Sequence, residues 1–151
     1  MREFRDSIEV NAPAGVVFGW LSQRLMDAES YKEWHPDHVD IRWIKGRPLR
    51  DGSVAYAEEY LHGRLHKMKF RITKIVPDRL IEYRALFPFS LMSPCNKFIV
   101  EPKSDSSCTF IATGILKLPE WLCKKHEDKI EAVLRHMKKE GENLKKALEP
   151  D

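Results

Sequence analysis

The sequence holds only three cysteines, Cys95, Cys108 and Cys123, widely spaced and with no CxxC among them. So odd and scattered a set supports neither a disulfide framework nor a zinc ribbon, and it fits a reducing compartment such as the cytoplasm. No apolar run approaches the ~18 residues of a membrane span, and the opening MREFRDSIEV has no apolar leader core. Neither a membrane nor a secretory leader is expected. Basic tracts are missing as well. The formal net charge is +3, and between Pro119 and Asp151 eight Lys plus Arg balance eight Asp plus Glu. The positive excess is thinly spread elsewhere, so nucleic acid is not an expected partner. Repeats and low-complexity segments are also absent.

What is present is an ordinary globular composition, 42% hydrophobic and 32% charged over 151 residues. That length suits one domain, residues 1–151, with a sizeable core. Near-alternation of apolar and polar residues predicts a strand over 3–10. Asn11-Ala12-Pro13 closes it, and Pro13 suits the first turn of a short helix over 13–21. A second short helix, 26–34, ends before Pro36, which disfavours helix at His35. The period then changes. Strands are expected over 39–45, 53–61, 64–76, 79–87, 95–101 and 108–118, with breakers or polar turns between them. A long amphipathic helix over 119–148 ends the chain, its apolar stripe including Ile130, Val133, Met137, Leu144 and Leu148.

On that last helix His136 and Glu140 stand four residues apart, so they stack on one face beside the apolar stripe. A histidine and a carboxylate so placed supply two positions of a divalent metal site; they also make an ordinary helix-stabilising surface pair. The rest of the chain has to decide between these.

The order strand, two helices, six strands, long helix resembles the helix-grip fold of the START and birch-pollen-allergen (SRPBCC) superfamily. Ile8-Glu9-Val10-Asn11-Ala12-Pro13 followed by Val16-Val17-Phe18 is similar to its strand-to-helix opening. The segment from Ile72 to Tyr83 is similar to its central hairpin. The resemblance implies an α+β fold in which a seven-stranded curved antiparallel sheet wraps the C-terminal helix around a cavity. Two short helices would follow the first strand. A two-residue His62-Gly63 turn would then pair Leu61 with Arg64, Glu59 with His66, Ala57 with Met68 and Ala55 with Phe70. In that register the apolar face carries Met68, Phe70 and Ile72, so Glu59 and His66 point inward; a one-residue slip would exchange Glu59 for Glu58. A carboxylate facing the core needs a partner or a metal. Three distant pieces converge on the cavity: His35 or His38, Glu59, and His136 with Glu140. Two imidazoles and two carboxylates suit zinc, iron or manganese. Trp20, Trp34, Phe70, Tyr83 and Phe87 are candidate walls.

A narrower resemblance follows. Tyr31-Lys32-Glu33-Trp34-His35-Pro36-Asp37-His38, then Glu59, then His136-x-x-x-Glu140 are similar to motifs of the diacetylphloroglucinol and phloretin hydrolases. These zinc-dependent helix-grip enzymes cleave a carbon–carbon bond between a phenolic ring and an acyl group. The resemblance implies His38, Glu59, His136 and Glu140 as ligands of Zn2+ or another divalent ion, and Tyr31 at the substrate. The chain is shorter than those hydrolases, and the spacing from the tyrosine to the histidines keeps His35 as a rival to His38. No position matches the family's further catalytic histidine, for which His66 is the inward candidate. The functional expectation is hydrolysis of an acylated phenolic or polyketide-like molecule, with Tyr31 or His66 protonating the leaving ring carbon. The competing expectation is a non-catalytic carrier of a hydrophobic or aromatic small molecule.

Overall fold

A nine-residue strand, β1 (Arg2–Val10), begins the chain with alternate residues half-buried and exposed, the signature of a sheet with one face on a core. The computed structural model describes residues 1–149; the last two positions of the expected domain lie outside the described residues. Two short helices follow, α1 (Ala14–Arg24) and α2 (Ala28–Trp34). Asp27 caps α2 by accepting the Ser30 N–H at 2.8 Å. His35, ahead of Pro36, is extended at φ −153° and stops the helix.

Six strands come next: β2 (His38–Lys45), β3 (Val54–Leu61), β4 (Arg64–Val76), β5 (Leu80–Ala85), β6 (Asn96–Ser104) and β7 (Ser107–Leu116). They form one antiparallel sheet in the order β1-β7-β6-β5-β4-β3-β2. The β3–β4 register is the expected one, with Leu61 opposite Arg64 and Glu59 opposite His66. His62 and Gly63 both have positive φ, 43° and 78°, as a two-residue turn matched to the strand twist requires. The polar segment after Glu101 differs from expectation. β6 runs through Pro102 to Ser104, because its pairing with β5 begins only where Leu80 meets Ile99. Beyond that point the missing proline N–H faces no partner strand.

The C-terminal helix is also not continuous. It divides into α3 (Glu120–Lys125) and α4 (Glu127–Leu148), with His126 at φ −112°, ψ 29° between them. The Arg2 guanidinium binds Glu120 at 3.0 Å and Glu127 at 2.9 Å. Beyond the bend, α4 lies against the concave face of the sheet and closes the core. Gly141 permits this approach: a Cβ there would meet the Ile8 side chain at 3.3 Å. Leu144 below it is fully buried. The curved seven-stranded sheet with a long C-terminal helix is the helix-grip architecture. Among the described residues no helix is long and apolar enough to cross a membrane.

Candidate functional site

Sheet and helix enclose about 260 Å³ of cavity, walled mainly by apolar and aromatic side chains. Trp34, Phe70 and Tyr83 line it as expected. Two other candidates do not. Phe87 is 78% exposed on the β5–β6 loop, and Trp20 packs edge-on against Trp34 at 6.2 Å, outside the lining. Alternation explains Phe70 and Tyr83, and Trp34 turns inward at the end of α2; Phe87 lies past the end of β5, where alternation no longer fixes a side chain's direction.

At one end of the cavity His38, Glu59, His136 and Glu140 come together. β2 and β3 place His38 opposite Glu59, and α4 brings the other two across from them. His38 is 2% exposed, Glu140 7% and His136 9%. His38 Nε2 lies 2.8 Å from Glu140 Oε2 and 3.7 Å from Glu59 Oε2. His136 Nε2 lies 3.3 Å from Glu140 Oε2 and 3.9 Å from Glu59 Oε1. Neither ring nitrogen of His136 has a hydrogen-bond partner among the described residues, although both are buried.

The alternatives left by the sequence separate on hydrogen bonding. His38 Nδ1 meets the Tyr31 carbonyl at 2.9 Å. A carbonyl only accepts, so Nδ1 carries the proton, and in a neutral ring Nε2 presents a lone pair to the two carboxylates. A lone pair facing an anion requires a cation between or beside them, either a proton or a metal. His35 is arranged the other way. Its Nδ1 already accepts the Asp37 N–H at 2.9 Å, and its ring lies tilted by 31° against His136 at 4.3 Å. Burial, then the neighbouring His136 and His38 rings, push its pKa down to about 4. Hydrogen bonding thus turns His38 Nε2, and not His35, toward Glu59 and Glu140. Glu58 takes the Tyr56 hydroxyl as a partner outside the cavity, while Glu59 lines it.

Electrostatics tie the cluster together. Burial alone would lower His136, but the adjacent Glu140 and Glu59 carboxylates outweigh it and raise the imidazole to about 9. Burial alone would raise Glu140, and its contacts with His136 and His38 override that and hold it below the usual carboxylate range. Trp34 supports the arrangement from behind, its Nε1–H donating to the Glu140 carbonyl at 3.0 Å.

Tyr31 sits at this cluster in an orienting position. Its hydroxyl donates to Glu59 Oε2 at 2.5 Å, and its ring stacks on His38 at 3.8 Å and 6°. His66 is not brought to the same place. It faces His62, Nε2 to Nε2 at 3.1 Å, and does not line the cavity. Tyr83, read from the sequence only as a wall, has a hydroxyl with no protein partner among the described residues. Burial, then the charges of Glu140 and Glu59, hold it protonated well above the usual phenol range. Its inward register gave a signal for its position but none for its free hydroxyl.

Over residues 1–149 the sequence matches the family described as polyketide cyclase/dehydrase and lipid transport. Among curated proteins no sequence matches. Many solved structures are similar in fold. The Zhui aromatase/cyclase from a Streptomyces species aligns with a TM-score of 0.75 at 15% identity, covering 97% of this chain and 93% of that one. Truncated norcoclaurine synthase from Thalictrum flavum gives 0.76 at 13% identity, covering 99% and 94%. A solution structure from Thermobifida fusca gives 0.70 at 20% identity, covering 99% and 96%. Identities this low establish a common fold and leave chemistry to the side chains.

Proposed function

The chain belongs to the polyketide cyclase/dehydrase and lipid transport family, and from that premise we propose that it is a metal-dependent hydrolase of an acylated aromatic, polyketide-like molecule. The observation that carries this reading is the buried cluster of two imidazoles and two carboxylates, in which neither ring nitrogen of His136 has a hydrogen-bond partner among the described residues. His38, Glu59, His136 and Glu140 would hold the ion, and their mixed nitrogen and oxygen donors suit zinc. Such an ion supplies Lewis-acid polarisation of a carbonyl and a water of lowered pKa.

The remaining chemistry belongs to the chain's own residues. Hydrolysis breaks the bond between acyl carbon and ring carbon; water gives its hydroxyl to the acyl carbon, and a proton goes to the ring carbon. Tyr31 Oη–H is committed to Glu59 and orients that carboxylate. His38 is fixed by the Tyr31 carbonyl on its far nitrogen, a second contact that sets ring orientation. Tyr83 lines the cavity with a hydroxyl that has no protein partner among the described residues, and we assign Tyr83 Oη–H to protonate the ring carbon on that position alone. The apolar walls exclude water from the leaving ring.

The test is elemental analysis of tag-free protein beside His136→Ala and Glu140→Ala. About one equivalent of zinc or another transition metal, lost in both variants, is the expected result. Absence of metal after reconstitution overturns the hydrolase reading. The almost wholly apolar lining would then favour a carrier of a hydrophobic small molecule, recognised by what co-purifies in the cavity.

A further inference from the structure

We propose that Asn96 is a ligand-recognition residue: its carboxamide oxygen accepts a hydrogen bond from a hydroxyl or N–H on the ring edge of an aromatic ligand. The proposal rests on the reading of the cavity as a small-molecule site, but on neither the metal nor the reaction.

Successive ladders pair Ile72 with Tyr83, Tyr83 with Asn96, Asn96 with Gly114 and Gly114 with Phe4. These residues therefore share one row across five strands, and Tyr83, Asn96, Gly114 and Phe4 all line the cavity. Asn96 is the one carboxamide in that lining. Its Nδ2 donates to Ser93 Oγ at 3.1 Å and reaches the Tyr83 carbonyl at 3.4 Å. Because a carbonyl only accepts, this contact fixes which end of the amide is nitrogen. The oxygen is left with no protein donor among the described residues.

The row is shaped around that oxygen. A Cβ at Gly114 would stand 2.8 Å from Asn96 Oδ1, so any other residue would displace the amide. An acceptor on an apolar wall loses its water when a ligand enters, which costs affinity unless the ligand replaces the lost bond. The ligand that satisfies it is planar, to lie against Phe70, Tyr83 and Phe98, and carries its donor at a distance from the histidines. In the sheet order β6, bearing Asn96, is three strands from β3, bearing Glu59. A phenolic or enolic hydroxyl on the ring fits; a fully alkylated or unsubstituted arene does not.

Isothermal titration calorimetry with 2-naphthol and 2-methoxynaphthalene tests this on the wild type, Asn96→Leu and Gly114→Ala. The naphthol is expected to bind the wild type about tenfold more tightly than its methyl ether, the value of one hydrogen bond kept rather than lost. In Asn96→Leu the two affinities should come within about twofold, with ether binding retained. Gly114→Ala should shrink the preference by displacing the amide, with the asparagine itself unmutated. Equal affinities in the wild type overturn the proposal without needing any variant. A preference retained in a variant that melts as a folded protein overturns it too. If neither arene binds the wild type, the small-molecule reading of the cavity falls, and this proposal with it.

Discussion

Tyr31→Phe isolates a single hydroxyl at the donor cluster. The ring that stacks on His38 at 3.8 Å and the carbonyl that meets His38 Nδ1 at 2.9 Å are both retained. Only the 2.5 Å bond to Glu59 Oε2 is lost, leaving a largely buried carboxylate without its donor. A hydrogen bond to a charged group contributes about 1.5–3 kcal/mol, so metal-free protein should lose about 2 kcal/mol. For a chain of this size that lowers Tm by about 4–8 °C. Loss of a group that orients a ligand typically weakens metal binding about 10–100-fold. Thermal melts in chelator, and competition of zinc against a chromophoric chelator, measure the two effects separately. Unchanged Tm and unchanged zinc affinity together would refute the role given to Tyr31. A change in activity alone would return it to the substrate.

Three further predictions concern the cluster and the helix that carries it. The pKa of His136 rises from 6.5 to about 9 on folding, so its contribution to metal-free stability is complete below the lower value and is lost as pH climbs through the higher. Glu140 is shifted the opposite way, and its contribution is present above the ordinary carboxylate range and lost only in acid. Metal-free Tm should therefore fall between pH 6.5 and 9, a fall that His136→Ala abolishes. At pH 7 zinc uptake should also release about one proton, measurable by calorimetry in buffers of different ionisation enthalpy. Leu144→Ala, at a fully buried position one turn beyond Glu140, should cost about 2–5 kcal/mol in urea unfolding; a loss below about 1 kcal/mol would show that α4 does not seal the core.

Much of this was legible because period and turn chemistry are local. The His62-Gly63 turn fixes the β3–β4 register, and the register alone turns Glu59 inward and Glu58 outward. The i, i+4 spacing of His136 and Glu140 is likewise a property of any helix. What escaped the sequence depends on partners far along the chain. The bend at His126 accompanies Arg2, more than a hundred residues earlier, and no periodicity within the helix registers it. The choice of His38 over His35 turned on which ring nitrogen meets a backbone acceptor and which a donor, information absent from spacing. Tyr83 and Asn96 read as wall and strand end, since a free hydroxyl or a free amide oxygen shows only once every neighbour's bond is assigned.

The closure of the sheet's outer edge, where Arg2 stands opposite Leu116, also sets an order of events in time. Such pairing must wait for β7, which begins more than a hundred residues after β1 does, and contacts this distant in sequence make folding slow. His38 and Glu59 meet across neighbouring strands and can be assembled early, while His136 and Glu140 arrive far later in the chain, on α4. A half-made chain therefore offers any passing ion two donors in place of four. On the proposed metal reading, occupancy of the cluster would mark a chain folded through α4, and a chain stalled before that helix would lack two of the four donors.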